Sequence, residues 1–283
     1  MAKHLIVNAD DLGYTDGVTS GIVRAHQEGI VTSTSIMVNM PGAASAIQKV
    51  QRSAPRLGLG LHLTITAGPP CANPDQVPDL VDAQGMLRGK AEIIPALSQI
   101  DITQIEHECR TQIERFIHLV GRPPDHLDSH HHALYLSPPT VSLLAQLARE
   151  LGIPIRRPIP AEPTNAVTLL LNLGLADDEE AAAKAIHALN NLVAEAGIAT
   201  PDSFIADFYG ERATLGDLLN ILVGLPEGTT ELMCHPGEVD DQLRAASGYT
   251  VRRADELAAL THPSARELIA AEGIELVSFE ALR

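Results

Sequence analysis

Short apolar runs alternate along this chain with longer stretches of helical periodicity, and most of the runs stop at a residue able to do chemistry. Residues 4–9 (HLIVNA) end at Asp10-Asp11, and residues 34–38 (TSIMV) end at Asn39. Residues 57–63 (LGLGLHL) carry His62 near their end, and residues 125–128 (DHLD) lead into Ser129-His130-His131-His132. Residues 153–155 lead into Arg156-Arg157, residues 203–206 (SFIA) end at Asp207, and residues 231–234 (ELMC) end at His235. A last run, 274–277 (IELV), leads to Ser278. Helical patterns fill the intervals at 16–28, 42–52, 101–120, 137–151, 179–196, 214–223 and 264–271. Strands alternating with helices of this length predict βα units and parallel pairing. Eight such strands would fill one α/β barrel of about 250 residues plus insertions. The whole chain, 1–283, is therefore expected to be a single (β/α)-barrel domain. In such folds chemistry gathers at the C-terminal strand ends, where Asp10, Asp11, His62, His130, Arg156, Asp207 and His235 all fall.

Two connections exceed ordinary loop length. Residues 64–90 hold Pro69-Pro70, Pro74, Pro78, Gly85 and Gly89 and follow the His62 strand, a position that suits a loop over the substrate. Residues 158–200 contain an Ala-rich helical pattern opened by DDEE, acidic residues that suit a helix N-terminus. This stretch reads as a helical excursion from the barrel or an oligomer contact.

Composition narrows the function. With 36 Asp and Glu against 20 Lys and Arg, the formal net charge is −16, which argues against nucleic-acid and anionic-membrane partners. No run approaches the roughly 18 apolar residues of a membrane span, and the N-terminal residues do not read as a signal peptide. The three cysteines are widely spaced and outside any CxxC, which fits a reducing cytoplasm better than a disulfide framework. Aromatics make up only 3%, with no Trp, so the core must rest on Leu, Ile, Val and Ala.

The candidate chemistry begins at Asp10-Asp11, in NADDLG. Neighbouring side chains on a strand point to opposite faces, so one Asp can coordinate a cation while the other stays available as a base. Gly13 permits the turn that follows. The competing reading is that one Asp caps the next helix. His62 in an apolar strand could equally be a packed core histidine. The run His130-His131-His132 after Asp128 is more telling, because imidazole is a common metal ligand. One Asp with two His suits Zn²⁺ or a similar ion, with a position left open for water. Asp128 could orient a ligating imidazole, and Arg156 or Arg157 could pair with an active-site Asp. His235, in CHPGE, could protonate a leaving group from the far side of the substrate.

Taken in order, NADDLG, GIVRAHQEGIVTSTSIMVN, GLGLHLT, HLDSHHH, the RRP segment and CHPGE resemble the YdjC-like (ChbG-type) carbohydrate deacetylase family along nearly the whole chain. The resemblance implies a distorted (β/α) barrel, a homodimer, and metal-dependent hydrolysis of the N-acetyl group of an amino sugar or chitooligosaccharide. It implies Asp11, His62 and His130 as metal ligands, Asp10 as general base and His235 as acid. Asp128, Arg156 and His132 are then supporting residues. Zn²⁺ fits the ligand types, with Mg²⁺ or another divalent ion as an alternative. Two other functions share these features: a glycoside hydrolase with paired carboxylates, and a non-catalytic metal or sugar sensor.

Overall fold

In a computed structural model of the protein, residues 2–158, 167, 170–171 and 175–283 are described. Most of 159–174, part of the expected excursion, lies outside the described residues. The strands are β1 (Lys3–Leu12), β2 (Ser33–Ile36), β3 (Gly58–Leu63), β4 (Leu127–Ser129), β5 (Ser203–Ile205), β6 (Gly228–Cys234) and β7 (Ile274–Leu276). They follow the order β4-β3-β2-β1-β6-β5, with β7 also paired to β1. The class is the expected α/β one, and among the described residues the sheet has seven strands rather than the eight of a full barrel. The expected strand at 153–155 is reduced to a single bridge between Leu127 and Ile155. Pro154 has no N–H to donate to a ladder, so pairing is confined to the residues around it.

By internal contacts the chain divides into two compact units. The first comprises Met1–Met37, Pro41–Gly60 and Pro201–Arg283; the second comprises Val38–Met40 and Leu61–Thr200. Strand β3 contributes its first half to one and its second half to the other.

The first unit is organised by β1, whose Leu5, Ile6 and Val7 are fully buried. Its residues Lys3–Ala9 pair with β6, Lys3–Leu5 also pair with β7, and the far end pairs with β2. A strand enclosed in this way reads as a continuous apolar run, as HLIVNA does. Around it lie α1 (Asp16–Gln27), α2 (Ala43–Ser53), α7 (Leu215–Val223), α8 (Asp241–Ala246), α9 (Val251–Leu260) and α10 (Pro263–Ala271). The second unit pairs Leu61–Leu63 of β3 with β4 and carries α3 (Lys90–Ala96), α4 (Ile102–Val120), α5 (Pro138–Leu151) and α6 (Glu179–Ala196). Helix α6 begins as its DDEE start suggests: the Asp178 side chain accepts from the Ala181 N–H, and Glu179 and Glu180 occupy the first turn. Among the described residues no helix is long and apolar enough to cross a membrane.

Candidate active site

In the first unit the register between β1 and β2 slips at the Asp pair. Ala9 faces Thr34 and Leu12 faces Ile36, so β1 spends one residue more than its partner. This is a β-bulge, a device that re-aims side chains beside functional sites. Asp11 adopts φ 72°, a left-handed conformation uncommon for any residue but Gly and costly enough to need support from its surroundings. Gly13 follows at φ 85°, and its ideal Cβ would stand 3.2 Å from the Ala43 backbone, so Gly is needed for both reasons. The two carboxylates consequently meet different partners. Asp10 Oδ1 accepts from Asn8 Nδ2 at 2.8 Å, and its Oδ2 lies 4.0 Å from His235 Nε2. Asp11 Oδ2 accepts from Arg253 Nη2 at 2.6 Å. Neither Asp caps α1; Thr15 does, accepting from the Val18 N–H.

Arg253 and its neighbour Glu256, both on α9, are residues the sequence patterns did not single out. Arg253 is buried, and its guanidinium pKa is raised: burial would lower it, but the Asp11 charge and hydrogen bond outweigh that. Glu256 is fully buried and accepts from the His235 backbone N–H and the Tyr249 hydroxyl. Burial pushes its carboxyl up to about 8 against the opposing pull of those two donors and of Arg253. One helix thus holds the tip of β1 through Arg253 and the residue after β6 through Glu256. His235 lies beside Asp10, so the expectation that it faces a substrate from the side opposite the base is not what this unit displays. Asp207 Oδ2 accepts from Arg212 at 2.9 Å, a surface ion pair that accounts for its charge.

In the second unit His62, on β3, points its Nδ1 at Asp128 Oδ1, 2.7 Å away. A carboxylate can only accept, so Nδ1 carries the proton and Nε2 keeps a lone pair. The other oxygen of Asp128 meets Arg156 Nη2 at 3.2 Å, with both side chains fully buried. Arg156 therefore pairs with Asp128, the residue that also holds His62, where a free active-site Asp was the expected partner. His130 Nδ1 stands 3.3 Å from His62 Nε2. Two imidazoles bound tetrahedrally at about 2.0–2.1 Å from an ion place their nitrogens roughly 3.3–3.4 Å apart, so this pair has the spacing of shared ligands. His131 and His132 both adopt φ 55°, so all the positive-φ non-glycine residues described fall in the two motifs carrying the candidate ligands. His131 Nδ1 lies 2.9 Å from Thr66 Oγ1, whereas the His132 ring lies beside Tyr135. The run thus separates: His130 joins His62, and His132 turns to a packing neighbour.

The long connection after β3 is held down at several points. Glu108, buried on α4, accepts from the N–H groups of Cys71 and Ala72, each at 2.8 Å. Gln112 bonds both backbone groups of Thr64, and Asn39 donates to the carbonyls of Ala67 and Pro69. Burial and the nearby Glu108 charge push the Cys71 thiol up to about 12, which makes it a poor nucleophile.

The profile of a family described as YdjC-like protein matches residues 4–271. A carbohydrate deacetylase of Thermoanaerobacter pseudethanolicus is 36% identical over 99% of this chain and 100% of its own length. A chitooligosaccharide deacetylase of Proteus mirabilis is 34% identical, with both chains covered completely. Among solved structures, a cellobiose-phosphate cleavage protein candidate from Enterococcus faecalis aligns at TM-score 0.86 and 31% identity, over 100% of this chain and 99% of that one. The Xyl-CE4 domain of a xylanase from the hindgut metagenome of Trinervitermes trinervoides aligns at TM-score 0.50 and 10% identity, over 100% of this chain and 90% of that one, a likeness of fold alone.

Proposed function

The chain belongs to the YdjC-like family, and on that premise we propose that it is a metal-dependent deacetylase that releases acetate from an N-acetylated amino sugar or chitooligosaccharide. The observation that carries this reading is the buried pair of imidazole nitrogens 3.3 Å apart, one ring of which is fixed in its tautomer by Asp128. In this reading Asp11, His62 and His130 would hold the ion, the two imidazoles being the pair already at ligand spacing. Zn²⁺ suits two imidazoles and a carboxylate better than Mg²⁺.

A divalent ion held there would supply Lewis-acid polarisation of the acetamide carbonyl and a more acidic water. Asp10, held by Asn8, takes the proton of the attacking water. His235 gives a proton to the departing sugar nitrogen, which leaves poorly as an anion. The backbone bond to Glu256 fixes where the His235 imidazole starts from. Acetate and a free amine result.

Metal analysis of the purified protein, followed by an acetate assay across N-acetylated mono- and oligosaccharides, tests the proposal. Acetate release abolished by EDTA and restored by Zn²⁺ is the expected outcome. Sugar cleavage without acetate would favour the glycoside hydrolase, and tight sugar binding with no product would favour the sensor. Within the histidine run, His130→Ala is expected to lower bound metal far more than His132→Ala. The reverse order by elemental analysis would reassign the ligand.

A further inference from the structure

The chain has no Trp, and its four Phe, at 116, 204, 208 and 279, are all fully buried. Of its four Tyr, Tyr135 is buried, Tyr14 and Tyr249 are half-buried, and Tyr209 is 46% exposed. Tyr209 is thus the most exposed Phe or Tyr ring among the described residues, and its place is specific. One face stacks on Tyr249, with centroids 4.2 Å apart and planes 12° from parallel. Its edge meets His235, with centroids 5.5 Å apart and planes 70° apart.

The backing ring is tightly held. The Tyr249 hydroxyl donates to Glu256 and accepts from the Gly210 N–H at 3.0 Å, which links it to the residue next to Tyr209. Glu256 also accepts from the His235 backbone. A single buried carboxylate therefore fixes both the candidate proton donor and the aromatic step beside it. Ordering the step before any ligand arrives reduces the entropic cost of binding against it.

We propose that Tyr209 is a specificity-determining residue that stacks on the apolar face of a sugar ring and so presents that ring's acetamide to His235. The inference rests on the deacetylase reading. A β-linked glucosamine-type ring has one face made of axial C–H bonds, whose partial positive charge complements the negative π-face of an aromatic ring. A ring backed on one side by Tyr249 has its other broad face to offer. A purely packing aromatic would gain more by burial, as the four Phe show.

The probes are N-acetylglucosamine and its β-1,4-linked dimer and trimer, used with metal-loaded full-length protein. Tyr209→Ala is expected to raise KM about tenfold with kcat within about twofold, and Tyr209→Phe to match the wild type. In saturation-transfer NMR, run in an Asp10→Asn background to prevent turnover, transfer should concentrate on sugar protons of one face and lose that bias with Tyr209→Ala. If acetate release persists in Tyr209→Ala with KM and the transfer pattern unchanged, the stacking role is overturned and the deacetylase reading stands. Loss of kcat in both variants would also overturn it, since that marks a structural role for the ring. If the wild type releases acetate from none of the probes, the deacetylase reading itself falls, and this inference with it.

Discussion

Asp10→Asn is expected to cut turnover by on the order of 10²–10⁴ while metal content stays at the wild-type level, whereas Asp11→Asn is expected to empty the metal site. The bulge explains why adjacent residues of the same type should differ this much. Asp10 is aligned by Asn8 Nδ2 with its second oxygen toward His235, a placement for proton transfer. Asn at that position keeps the shape and loses the basicity. Asp11 is turned by its left-handed backbone to Arg253, which holds the carboxylate in place. Equal metal loss in both variants, measured by elemental analysis, would remove the division of labour. Asp11→Asn carries a second consequence. Arg253 is only 4% exposed, so replacing its charged partner by a neutral amide leaves a buried cation less well compensated, at a cost below the roughly 3–5 kcal/mol of removing the partner outright. Adding Arg253→Met should recover much of the thermal stability and none of the metal, which separates folding from ligation.

The same residues show what a sequence can and cannot disclose here. Asp10, Asp11, His62, His130 and His235 stood out as candidates because parallel α/β folds put strand ends to use, and the apolar runs locate those ends. Asp128 and Arg156 were legible as supporting groups, although only the structure pairs them with each other. Arg253 and Glu256 were hidden for a physical reason. In VRRADELAAL, charges at successive helical positions have the form of an ordinary solvated face, and Arg252 and Asp255 do form such a surface pair. Only the packing of α9 turns Arg253 and Glu256 inward, and local periodicity carries no record of it. The one available signal was that Arg253 and Glu256 lie three residues apart on a single face, together with Leu257 and Leu260. The strand at 153–155 was overestimated for the converse reason: apolar character suggested a strand, while Pro154 allowed only one bridge.

Asp128→Ala and Asp128→Asn should fail in different ways. Asp128 is fully buried and serves two donors at once, the His62 Nδ1–H and the Arg156 guanidinium. Ala removes the acceptor for both and leaves a fully buried cation, so a loss of about 3–5 kcal/mol is expected, with metal affinity falling roughly 10–100-fold. Asn keeps the volume and one acceptor oxygen, so its thermal penalty should be smaller. Its amide nitrogen, however, brings a donor where an acceptor stood. Either that NH₂ faces Arg156, or it faces His62 and draws a lone pair to Nδ1. In the second case the ring proton moves to Nε2, the nitrogen 3.3 Å from His130, and ligation through Nε2 is blocked. Asp128→Asn is therefore expected to lose metal affinity out of proportion to its loss of stability. Calorimetric unfolding of the apo protein alongside metal titration reads both quantities. If metal affinity in Asp128→Asn were unchanged, Asp128 would serve Arg156 alone, and the tautomer of His62 would have to be set by another group.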